Sequence, residues 1–311
     1  MQEKQINQQQ TDKDRASSGQ LMMRAAKAAV LVAFTLIVIK SWAYHISGSV
    51  SMLGSLLDSL MDILASLINL VAVRFSIVPA DDDHRFGHGK AEAIAGLVQA
   101  MVIFLSALFL LVEAGQKMLA PVPVMQADMS ILILVISIIL TSLLVAYQRY
   151  AIRKTSSVAI SADHLHYSGD ILMNLGVILA LFLSEYMQVY SADPVIGILV
   201  GLYLLYNVRL IGRNSIDMLM DREMEDSDKV RILDIIRKHA EVRGVHDMKT
   251  RKSGLSIFIQ FHLEMNGTIS LSEAHRISDD VEAEIMAEYP EAEVLIHADP
   301  EGYVENIAFS E

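Results

Sequence analysis

Apolar residues fall along the chain in six blocks of about twenty or more positions, each bounded by polar or charged residues. The blocks run from about Ala25 to Tyr44, Ser51 to Val78, Ala91 to Leu119, Met129 to Tyr150, Ser157 to Tyr186 and Val195 to Ile216. A helix rises about 1.5 Å per residue and the hydrocarbon core of a bilayer is roughly 30 Å thick, so each block is long enough to cross a membrane. The expectation is an all-α bundle of six transmembrane helices. Pro121 and Pro123, and the Asp193-Pro194 pair, read as punctuation in two outer loops.

After the last block the period changes. Asp226 or Ser227 is placed to cap a helix reaching about Ala240, and Val245 to Arg251 followed by Leu255 to Glu264 reads as a hairpin turning at Ser253-Gly254. Ile257, Ile259, Phe261 and Leu263 alternate with other residues, as on a half-buried strand. Leu271 to Tyr289 reads as an amphipathic helix capped by Ser270, and Glu293 to His297 as a last strand. The order αββαβ predicts a small α+β, ferredoxin-like domain with two helices on one face of its sheet. The expected division is therefore a disordered tail over 1–20, a membrane domain over 21–221, a cytoplasmic metal-binding domain over 222–300 and a short tail over 301–311. The polar, Gln-rich start lacks the apolar core and cleavage site of a secretory signal, so the first block is expected to be retained as a span.

Basic residues give an orientation. Arg24 and Lys27, then Arg74, Arg85 and Lys90, then Arg149, Arg153 and Lys154, then Arg209, Arg213 and Arg222 lie on one side, with Lys117 the main exception on the other. The positive-inside rule places both termini in the cytoplasm, as an even number of spans also requires. The net charge of −12 is concentrated in the tail, where residues 222–311 hold 20 acidic and 10 basic side chains. Such an acidic surface argues against nucleic acid as a partner. The chain has no cysteine, which excludes disulfides and thiolate metal ligands. Any metal here is held by His, Asp, Glu, backbone or water.

Carboxylates at membrane depth cost several kcal/mol unless they are paired, hydrated or bound to a cation. Span two nevertheless carries Asp58 and Asp62, and span five His166 and Asp170, each pair at i,i+4 and so on one helix face. Two such faces brought together supply three carboxylates and one imidazole, a tetrahedral shell suited to zinc. Any one of these residues alone reads equally well as a packing or hydrogen-bonding group. Asp163 lies one face-repeat from Asp170, about 10 Å of rise away, and reads as an entrance charge; His164 falls on another face and His45 at the interface. A second cluster, Asp81, His84 and His88, sits in a loop softened by Gly87 and Gly89, where a solvated acidic loop is the competing reading. A third gathers His246, His262, His275, His297 and Asp299 in the small domain, with ordinary surface histidines as the alternative.

Four stretches carry a resemblance to a known family. They are Gly48 through Asp62 (GSVSMLGSLLDSLMD), Pro79 through Glu92 (PADDDHRFGHGKAE), Ala162 through Asp170 (ADHLHYSGD) and His297 through Pro300 (HADP). In these the chain resembles the cation diffusion facilitators, and most closely their bacterial zinc and ferrous-iron efflux type, over about residues 20–300. The resemblance implies a transport site at Asp58, Asp62, His166 and Asp170, a loop site at Asp81, His84 and His88, and a binuclear cytoplasmic site drawn from His246, His262, His275, His297 and Asp299 that helps hold a homodimer. It also implies a charge interlock of Lys90 with Asp221 between protomers and an apolar gate at Leu165. Asp rather than His at position 58 resembles members that accept cadmium as well as zinc, and Gly169, where relatives usually carry Ser, is expected to loosen span five.

The activity expected is export of Zn2+, with Cd2+ or Fe2+ also accepted, from the cytoplasm across a bacterial inner membrane in exchange for protons. Metal and protons compete for the same lone pairs. Two other classes fit parts of the pattern. An intramembrane metalloenzyme needs an open zinc position and a motif such as His-Glu-x-x-His, which is absent. A membrane metal sensor signalling through its tail needs no charged pairs at membrane depth.

Overall fold

A computed structural model describes residues 2–47, 50–119, 128–189 and 191–302. The chain divides into two compact units, one of residues 18–217 and one of 218–311 together with 1–17.

The first unit takes in α1 (Gln2–Ser47) from residue 18 onward, α2 (Val50–Ser76), α3 (Ala91–Leu119), α4 (Asp128–Thr155), α5 (Val158–Met187) and α6 (Ala192–Leu219) as far as residue 217. Among the described residues, these six are the helices long and apolar enough to cross a membrane. Their outer faces expose Leu31, Phe34, Trp42, Phe75, Phe109 and Tyr206, as lipid-facing positions require. Inside, small residues let the helices approach. Ala100, Ala107 and Ala162 pack with Ile103, Leu165, Val200, Leu204, Val208 and Ile211 where α3, α5 and α6 meet.

Three expectations change here. The polar start is helical rather than disordered, since α1 begins at Gln2. Asp193 and Pro194 do not form a loop: they occupy the first turn of α6, where a proline's missing N–H costs nothing. The Pro121/Pro123 turn lies outside the described residues. Gly169 does not loosen α5, which is unbroken; a Cβ there would come within 2.8 Å of Leu204 Cδ2, so the glycine serves close approach to α6. Lys117, out of place by the charge rule, is neutralised by Glu113 at 3.1 Å and by Asp193 of α6 at 3.5 Å.

The second unit continues with α7 (Asp226–Ile236), β1 (Val242–Ser253), β2 (Ser256–Met265), α8 (Leu271–Glu288) and β3 (Ala292–Pro300). The αββαβ order is the expected one. The sheet runs β1-β2-β3, with β1 antiparallel and β3 parallel to the central β2. Gly254 takes φ +59° in the turn between β1 and β2, a conformation that suits glycine. Ser270 caps α8 by accepting from the Glu273 amide, whereas α7 is preceded by Glu225 with no side-chain cap. Ile259, Phe261, Leu263 and Met265 of β2 bury one face of the sheet under Ile232, Ile235 and Ile236 of α7 and Ile277, Val281 and Ile285 of α8. Because strand side chains alternate, His262 and Glu264 point to the opposite face.

Candidate metal sites

At membrane depth, α2 and α5 bring together Asp62, His166 and Asp170, whose ligand atoms all lie within 4.8 Å of one another. His166 Nε2 is 3.1 Å from Asp62 Oδ1 and 4.0 Å from Asp170 Oδ2. Two ligands bound to zinc at about 2.0–2.1 Å with a tetrahedral angle stand about 3.3 Å apart, so these separations suit one ion. Asp58 is exposed and stands outside the group. The i,i+4 spacing puts it on the same face of α2 as Asp62, one turn further along the axis.

The site is held from behind. Tyr167, next to His166, is buried and shares a 2.7 Å hydrogen bond with Ser66 of α2, and its hydroxyl also donates to Ala29 O of α1 at 3.4 Å. Leu165, on the other side of His166, is buried in the cluster of α3, α5 and α6. Asp163 is no entrance charge. It is fully buried, accepting from Gln148 Nε2 of α4 at 2.7 Å and from Gln99 Nε2 of α3 at 3.3 Å. Glu92 of α3 is equally buried and caps α5 from outside, accepting from Ser157 Oγ at 2.6 Å and from the Val158 amide at 3.0 Å. The pattern of i,i+4 pairs did not single out these anchors, nor Lys40, a charge deep in the first span whose ammonium donates to Ser59 Oγ at 2.7 Å and to Ser55 O at 3.2 Å.

The loop between α2 and α3 brings all three expected residues together. Asp81 Oδ1 accepts from the amides of His84 at 2.6 Å and Asp83 at 3.0 Å. Its Oδ2 is 3.3 Å from His88 Nε2, and the two imidazoles stand 4.5 Å apart. The His84 amide foremost, with help from its ring, holds the Asp81 carboxyl below the usual carboxylate range, so the group is ionised at neutral pH. Gly87 takes φ +74°, which turns the loop back toward Asp81. Lys90 follows immediately before α3.

On the open face of the small sheet, His246, His262 and His297 lie in register across β1, β2 and β3. Asp299 is buried beneath them and reaches His262 Nδ1 at 2.8 Å and His246 Nε2 at 3.5 Å through Oδ2, and His297 Nε2 at 3.2 Å through Oδ1. A carboxylate addressing histidines with both oxygens can bridge two ions. Glu264, an unexpected participant, accepts from His246 Nδ1 at 2.9 Å and thereby turns Nε2 toward the cluster. Asp247, at a bulge in β1 with φ +46°, stands 3.8 Å from His262 Nε2. Its carboxyl is held below the ordinary range chiefly by the Lys249 ammonium. His275 does not join the cluster: it is exposed on α8, 3.7 Å from Asp279, in the layer across the sheet. Asp221 pairs with Arg251 at 3.0 Å.

Residues 26–220 match the cation efflux transmembrane domain, and residues 224–301 match the cytoplasmic domain of cation efflux proteins. The cation-efflux pump FieF of Escherichia fergusonii is 44% identical over 284 residues, covering 91% of this chain and 94% of that one. FieF of Escherichia coli is 43% identical over the same coverage. A metal-bound C-terminal domain of the CzcD transporter from Thermotoga maritima is 26% identical over 26% of this chain and all of that one, with a TM-score of 0.25. By these matches the chain belongs to the cation diffusion facilitator family, is related to YiiP, and is a multi-pass membrane transporter of metal ions rather than an enzyme.

Proposed function

We propose that this protein exports a divalent transition metal, zinc foremost and Cd2+ or Fe2+ as well, from the cytoplasm in exchange for protons, as a homodimer in a bacterial inner membrane with both termini cytoplasmic. The observation that carries the reading is the group of Asp62, His166 and Asp170 at membrane depth. Their dehydration is offset by a dication or, in its absence, by protons. Asp58, one turn away, completes a four-ligand shell when α2 shifts or turns slightly toward α5.

The transport cycle follows from competition for lone pairs. Facing the cytoplasm, the ion displaces protons from His166 and the carboxylates, since only the deprotonated groups ligate well. The bundle then rocks to open the site outward, where protons retake the same atoms and release the ion. Leu165 acts as the apolar gate beside the site, and α5, anchored through Tyr167, carries His166 and Asp170 as one rigid face. The loop site at Asp81, His84 and His88 and the cytoplasmic cluster at His246, His262, His297 and Asp299 bind metal from the same pool. His275 lies in the helix layer, so a cytoplasmic site that includes it requires a second copy, which favours metal-linked dimerisation. Lys90 and Asp221 form the charge interlock of that dimer.

Zinc flux into proteoliposomes under an imposed pH gradient tests the reading. Asp62→Ala and Asp170→Ala are expected to abolish zinc movement and the accompanying proton counterflow. Flux at the parental rate in either variant, or zinc transport with no proton movement, overturns it.

A further inference from the structure

Lys40 is a cation placed inside the first span, where a lysine is costly and ordinarily extends its stem to the interface. Here it turns inward instead. Its Nζ donates to Ser55 O and to Ser59 Oγ, and Ser59 is itself fully buried. Those two residues flank Asp58 on the turn of α2 that precedes Asp62. Neither serine is needed as a ligand, so their geometry tethers the cation beside the site without inserting it among the ligand atoms.

The charge count explains the arrangement. Asp58, Asp62 and Asp170, when ligating, carry three negative charges, and His166 ligates as the neutral ring. A bound dication leaves one negative charge uncompensated in a medium where a net charge is expensive. Lys40 removes it. We propose that Lys40 is the fixed counter-cation of the transport site, making the metal-loaded site electroneutral and, by repelling the dication, keeping it from binding too tightly to be released. This rests on the transport-site reading above.

Two effects follow for Lys40→Met. Apparent zinc affinity at the site rises and turnover falls, each by about tenfold or more, because the lost repulsion favours the bound ion and the loaded site now carries a charge across the membrane. Lys40→Arg recovers most of the turnover. The double variant Lys40→Met/Asp58→Asn, whose loaded site is again neutral, turns over faster than Lys40→Met alone. Zinc binding in detergent and flux in proteoliposomes give the two quantities separately. Parental affinity and turnover in Lys40→Met overturn the proposal. So does a Lys40→Arg protein as slow as Lys40→Met, or a double variant no faster than it, since either points to shape rather than charge. Asp62→Ala run alongside separates this from the parent reading: zinc flux surviving in that variant sinks the site assignment itself, whereas its loss together with an unchanged Lys40→Met sinks the counter-cation alone.

Discussion

The Tyr167 hydroxyl and Ser66 Oγ meet at 2.7 Å inside the bundle, joining α5 to α2 one residue from His166. The bond fixes the rotation of α5 about its axis, and that rotation decides whether His166 and Asp170 face Asp62 or lipid. Tyr167→Phe leaves the packing in place and strands Ser66, at a cost of about 1 kcal/mol. We expect a lower unfolding midpoint in detergent together with weaker zinc binding. A thermal shift with unchanged zinc affinity makes the bond a stability element only.

Asp58 and Asp62 differ in the structure although the helix repeat makes them look alike. Asp62 stands 3.1 Å from His166, and Asp58 lies outside the group. Asp62→Asn is expected to weaken zinc binding by more than about a hundredfold and Asp58→Asn by about tenfold, on the scale where each tenfold is 1.4 kcal/mol. Titration calorimetry of the two proteins decides it, and equal losses mean that Asp58 is as close a ligand in the bound state as Asp62.

Glu92 caps a helix from 65 residues away in sequence. Glu92→Ala leaves Ser157 Oγ and the Val158 amide without their acceptor in a buried setting, at about 1–3 kcal/mol. The expected result is a fall in thermal midpoint with the zinc affinity of the transport site retained. A midpoint unchanged within error removes the cap from the account.

At the cytoplasmic cluster, Asp299 touches three histidines with two oxygens. Metal bound only by the folded form adds about 2.7 kcal/mol of stability at a hundred times its Kd. Asp299→Ala in the full chain should abolish most of the zinc-induced stabilisation of this domain, seen by hydrogen exchange at β2, and weaken the dimer at low concentration. Undiminished protection by zinc excludes Asp299 as a ligand.

Glu223 accepts from Thr250 Oγ1 at 2.7 Å and pairs with Lys229 at 3.2 Å. Although partial burial opposes it, the Thr250 and Lys229 bonds hold its carboxyl below the ordinary 4.5. A folded-state value below the unfolded one contributes stability that is complete above the unfolded value and is lost as pH falls through the folded value. Glu223→Gln should therefore lower the thermal midpoint at pH 7 and flatten its decline below pH 4.5. An unchanged acid limb means the pair adds nothing.

Much of this molecule is determined by one-dimensional pattern. Six apolar runs fix six spans, because bilayer thickness sets a length that any such run meets or fails. Alternation along Ile257 to Leu263 fixes which face of β2 is buried, and with it that His262 is on the other. Spacing at i,i+4 pairs Asp58 with Asp62 and His166 with Asp170 on faces. Only tertiary structure decided which faces meet. Side chains on one helix say nothing about the rotation of its neighbour, so the closeness of Asp62 to His166, the isolation of Asp58, the burial of Asp163 under Gln99 and Gln148, and the reach of Lys40 to Ser59 all depended on helix packing. His275 is the same lesson in the small domain: composition grouped it with the other histidines, and the sheet between them keeps it apart, because a helix packed on one face cannot present a side chain to the other.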